Sequence, residues 1–111
     1  MIEEIILEYL SDALPVPCYM EMPEDITGEF IVIEKTGSSR RNMINRSTFA
    51  FQAYAPTLYA AADLNESVKG AVDDLAELDE IIKVELNSDY NYTDTVMKRY
   101  RYQAVYVITH Y

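Results

Sequence analysis

EFIVIEKTGSSRRNMINRSTFAFQAY, residues 29–54, is the stretch whose reading decides the fold. Its first part, 29–36, holds an unbroken apolar run from Phe30 to Ile33, the pattern of a strand buried on both faces. Its last part, 47–54, alternates. Phe49, Phe51 and Ala53 fall on one side and Thr48, Ala50, Gln52 and Tyr54 on the other, which predicts a half-buried strand antiparallel to the first. Between them Gly37, Ser38 and Ser39 read as a turn, and 37–46 as a polar loop. That loop and the residues leading into it carry Lys35, Arg40, Arg41 and Arg46, four of the nine Lys and Arg residues in a chain of net charge −10.

Outward from this pair the periodicity changes. Upstream, Ile2, Ile5, Ile6, Tyr9, Leu10 and Ala13 recur at helical spacing, with Glu3, Glu4 and Glu8 opposite, and Pro15 and Pro17 stop the helix. Residues 17–22 predict a short strand, and Pro23 to Gly28 a turn. Downstream, Thr57 is a candidate N-cap for a long helix over 57–78, with Leu58, Ala61, Leu64, Val68, Ala71, Leu75 and Leu78 as its inner stripe. Asp63, Glu66, Asp73, Asp74 and Glu77 mark its solvent side, and Gly70 suggests close packing against a sheet. Residues 81–86 predict a further strand and 87–98 a polar segment. The alternating stretch 99–111 predicts the last strand, with Tyr100, Tyr102, Ala104, Tyr106 and Ile108 on one face. The order is α-β-β-β-α-β-β. It describes a single α+β domain over 1–111, with a mixed, mainly antiparallel sheet packed by two helices.

The chemical inventory is thin. The one histidine, His110, reads as a surface or strand-end residue, and the one cysteine, Cys18, as a small buried hydrophobe. One cysteine excludes an internal disulfide and a paired-cysteine metal motif, and fits a reducing compartment. The carboxylates Asp73, Asp74, Glu77, Asp79 and Glu80 read as a solvated acidic face, without the glycine-bearing loop of a calcium site. Three glycines in all give no phosphate-cradling motif. The expectation is a protein that is not an enzyme and holds no metal or cofactor. No apolar run approaches the ~18 residues of a membrane span, so no membrane association is expected.

Two basic clusters remain: Lys35, Arg40, Arg41 and Arg46, and then Lys98, Arg99 and Arg101. Arginines beside a sheet often pair with nearby carboxylates to little effect. Set on an acidic body, they also suit contact with an acidic surface on another protein or another copy of this one. An overall negative charge disfavours general nucleic-acid binding, which needs a basic face.

Several stretches resemble the tail terminator, or tail completion, proteins of long-tailed bacteriophages, also described as minor tail or head-tail joining proteins. They are VPCYMEMPE (16–24), FIVIEKTGSSRRNMINRSTFAFQAYAPT (30–57), AADLNESVKGAV (61–72) and SDYNYTDTVMKRYRYQAVYVITHY (88–111). The resemblance implies a small α+β structural protein of the virion, located at the tail end or neck and assembled in the host cytoplasm. It implies a homo-oligomer, a hexameric ring. The ring caps the tail tube protein, ends its polymerisation and offers a docking surface to the head-tail connector proteins. DNA passes through the lumen without specific binding. Two other functions fit the same residues: a neck or head-closure protein, and, more distantly, a small nucleic-acid-binding regulator.

Overall fold

The computed structural model describes residues 1–96 and 99–111. In chain order it comprises helix α1 (Ile2–Ala13), strands β1 (Cys18–Tyr19), β2 (Phe30–Arg41) and β3 (Ile44–Ala55), and helix α2 (Leu58–Asp73). A 3₁₀ turn (Asp74–Glu77) and strands β4 (Ile81–Asn91) and β5 (Tyr100–His110) complete it. The five strands form one sheet in the order β1-β2-β3-β5-β4. Only the β1–β2 pairing is parallel; the others are antiparallel. The fold is therefore α+β, in the predicted element order.

Both helices lie against one face of the sheet. Ile2, Ile6 and Leu10 of α1 and Leu64, Val68 and Val72 of α2 join Ile31, Ile33, Phe49, Phe51, Ala104, Tyr106 and Ile108 in a single core. Those strand residues alternate with residues of the opposite face. There a smaller cluster of Phe30, Val32 and Tyr54 packs with Tyr19 and Ile26. Burying Phe30 to Ile33 on both faces accounts for the unbroken apolar run.

Each helix end has a local cause. Leu14 takes φ −114° and ψ 145°, the extended conformation forced on a residue before proline. Thr57 caps α2 as predicted, its Oγ1 accepting from the Ala60 amide at 3.1 Å. The helix is shorter than the predicted 57–78. It ends at Asp73, and Leu75 enters the core from the 3₁₀ turn.

The largest departures are in the strands. Gly37, Ser38 and Ser39 do not turn. They pair with Thr48, Ser47 and Arg46, after a bulge between Lys35 and Gly37. The turn is a two-residue link at Asn42 and Met43, with φ 52° and 65°. Two successive left-handed residues give a hairpin link whose twist matches its strands. The expected ten-residue loop is thus the outer half of a 12-residue-per-strand hairpin. Nor is β3 half-buried: Ala50, Gln52 and Tyr54 are also buried, on the side without helices. The predicted strand over 17–22 shrinks to two residues, and 81–86 extends to Asn91.

Gly70 marks no close approach. A Cβ built there meets no heavy atom within 4 Å. Its cost is then only backbone entropy, and Gly70→Ala is expected to stabilise the protein by about 0.5–1 kcal/mol. A thermal melt checks this through a midpoint raised by a few degrees; an unchanged or lowered midpoint contradicts it.

Candidate functional site

The hairpin formed by β2 and β3 projects past the rest of the sheet. Thr109 and His110, the last residues of β5, pair with Arg46 and Asn45, so the Arg41–Ile44 rung and the Asn42–Met43 link are what extends past that strand. Arg40 and Arg41 sit on the last rungs, and alternation directs them to opposite faces. Arg40, Arg41 and Met43 are exposed, Met43 at 75%. Among the described residues, Arg40, Arg41 and Arg46 form no salt bridge. Lys35, farther from the tip, differs: its Nζ lies 3.6 Å from Glu3 Oε2 and ties β2 to α1.

The second cluster lies elsewhere. Arg101 pairs with Tyr54 and Arg46 with Thr109. Eight residues along β3 at about 3.3 Å each separate the two by roughly 26 Å. The basic residues therefore do not form one patch. Arg101 is also engaged internally. Its Nε donates to the Tyr92 carbonyl at 2.6 Å, and a guanidinium nitrogen donates to the Tyr54 hydroxyl at 2.7 Å. Its guanidinium carbon lies 4.2 Å from the Tyr92 ring centroid. Arg99 lies 3.6 Å from the Met22 sulfur. Lys98 falls outside the described residues. Of the predicted contact residues that are described, Arg40, Arg41, Arg46 and Arg99 are exposed without an ion pair, and the first three gather at the hairpin.

Beside Arg101 the helix-free face carries a polar ladder that sequence reading missed. Gln52 Nε2 donates to Gln103 Oε1 at 2.8 Å, and Gln103 Nε2 donates to the Tyr90 hydroxyl at 2.6 Å. The link crosses three strands, and its register becomes visible only once β5 is seated between β3 and β4.

The helix layer is acidic. A cleft of 250 Å³ opens between α1 and the segment after the 3₁₀ turn, lined by Ile5, Glu8, Tyr9, Asp12, Leu78 and Glu80. The Tyr9 hydroxyl donates to Glu77 Oε1 at 2.7 Å. That hydrogen bond, with desolvation and the charges of Glu77 and Asp74, pushes the Tyr9 pKa up to about 12. The folded state thus holds the Tyr9 proton more tightly than the unfolded chain, whose tyrosines titrate near 10. The stabilisation is complete below pH 10 and is lost as pH rises towards 12. Denaturant midpoints measured over that range are expected to fall less steeply for Tyr9→Phe than for wild type; identical slopes refute the contribution. Tyr106 shifts the same way, chiefly through burial and then its bond to Asp73.

His110 is at a strand end, as expected, but buried rather than on the surface. Its Nδ1 lies 3.1 Å from the Tyr111 carbonyl, which can only accept. In a neutral ring Nδ1 therefore carries the proton, and Nε2 accepts from Ser47 Oγ at 2.8 Å. Ser47 is 1% exposed, so the pair fastens β3 to β5 from within. Burial pushes the Cys18 thiol upward, away from its nucleophilic form. Among the described residues, no group of three His, Cys, Asp or Glu side chains is placed to hold a metal ion. Among the same residues no helix is long and apolar enough to cross a membrane.

Neither a protein-family model nor a curated protein matches this chain.

Proposed function

We propose that this chain is a structural virion protein that assembles as a ring on the end of a phage tail tube, stops tube growth and receives the head connector. The reading starts from the sequence resemblance. The observation that carries it further is the hairpin: three exposed arginines, without ion pairs among the described residues, gather at a tip that ends one rung past β5 on an acidic body. An arm of one charge on a body of the other is self-complementary, and head-to-tail contacts of that kind close into rings. A carboxylate-rich surface along a lumen lets DNA pass, because like charge opposes phosphate binding. The separation of the two basic clusters weighs against a nucleic-acid-binding regulator, whose phosphate contacts need a continuous basic track.

Electron microscopy of tails from a virus lacking this protein tests the proposal. Over-long tubes without heads are the expected result. Tails of normal length beside unsealed heads overturn it in favour of a head-closure role.

A further inference from the structure

The cleft between α1 and the segment after the 3₁₀ turn is opposite in charge to the hairpin tip. Ile5 and Leu78, each partly buried, give it an apolar floor, and the exposed carboxylates Glu8, Asp12 and Glu80 form its rim. Among the described residues none of these three carboxylates has a salt-bridge partner. Asp12 lies in the last turn of α1, which holds no basic residue. A helix ends there in a negative pole that a cation relieves and a carboxylate aggravates. The same conflict recurs at the end of α2, where Asp73 closes the helix and Asp74 caps it. The body therefore concentrates negative charge where its own helices disfavour it.

The hairpin tip offers the converse. Met43 is an apolar side chain 75% exposed, held at φ 65°. Most residues other than glycine avoid that region. Arg40 and Arg41 flank it on the final rungs of the ladder.

We propose that the cleft receives the hairpin tip of a second copy of this chain. Met43 seats on Ile5 and Leu78, and Arg40 and Arg41 meet Glu8, Asp12 and Glu80. The contact rests on the ring reading for its setting, and it names the two surfaces that join neighbouring subunits. Because tip and cleft are different surfaces, the contact is directional and repeats from copy to copy.

Sedimentation of the full chain tests it, with Arg40→Glu/Arg41→Glu, Glu8→Lys/Asp12→Lys, and an equimolar mixture of the two variants. All four positions are exposed, and thermal melts confirm that each variant folds. Wild type is expected to self-associate, more weakly as salt rises. Each variant alone is expected to associate at least about tenfold more weakly, because like charges now face each other. The mixture is expected to recover. A glutamate-tipped arm then meets a lysine-rimmed cleft, and an arginine-tipped arm meets a native cleft, in alternation. The inference is overturned by variants that associate like wild type, by a mixture that stays dissociated, or by a wild type that remains monomeric. None of these results decides the ring reading, which stands or falls on the tail-length assay.

Discussion

On the tail-capping function proposed above, a virus carrying Arg40→Glu/Arg41→Glu is expected to build tail tubes of uncontrolled length, with the fraction of capped, head-bearing tails reduced by about tenfold or more. Both arginines are exposed on the last rungs of the hairpin, and neither has an ion pair among the described residues. Their reversal breaks no ion pair among the described residues, so the fold is expected to survive. What changes is the encounter with another acidic surface, where juxtaposed like charges cost several kcal/mol. A tail-length distribution from negative-stain images, beside a thermal melt of the purified variant, reads the two effects separately. Arg40→Lys/Arg41→Lys keeps the charge and is expected to cap normally, apart from any loss of two-point hydrogen bonding. Wild-type tail lengths in the glutamate variant remove the hairpin from the capping contact.

Phe51→Ala is expected to have the largest effect on stability, a loss of about 3–5 kcal/mol. Phe51 is fully buried at the centre of β3. Its ring lies 6.1 Å from that of Phe49 and 5.8 Å, edge-on, from that of Tyr106. It sits where both helices and the inner strands meet in one core, so no surface loop can close the cavity. Against a total of about 5–15 kcal/mol for a domain of this size, the loss is a large fraction. With a urea slope of about 2 kcal/mol per molar, the unfolding midpoint falls by roughly 2 M. A midpoint within a few tenths of wild type contradicts the central place given to Phe51.

Alternation and helical spacing carry information about burial, and burial is what they disclosed here. The stripe Ile2, Ile6 and Leu10, the two-sided burial of Phe30 to Ile33 and the inward face of Ala104, Tyr106 and Ile108 all follow from where apolar side chains recur, and the Thr57 cap from a hydroxyl placed just before a helical pattern. Composition misled where pairing outweighed it. Gly37, Ser38 and Ser39 look like a turn by residue type, yet a strand accepts them when its neighbour supplies hydrogen-bonding partners. The true turn at Asn42 and Met43 was hidden, because methionine seldom adopts a positive φ. Gly70 was misread for the opposite reason: helix context alone does not reveal whether a neighbour approaches.

The candidate site divides along the same line. That positive charge gathers at 35–46 is a property of the chain, as is the excess of carboxylates on the helices. The sequence by itself determined the main apolar core, the order of the elements, and that positive charge gathers in two short stretches of an otherwise acidic chain. Only the tertiary structure decided that Arg101 is spent on Tyr54 and Tyr92, that Ser47 meets His110, that the two basic clusters lie at opposite ends, and that Glu8, Asp12 and Glu80 share one cleft. The reason is physical. Burial is a one-residue property written in local periodicity, whereas a contact between residues dozens of positions apart is fixed by strand order and register, and these form only when the whole sheet closes.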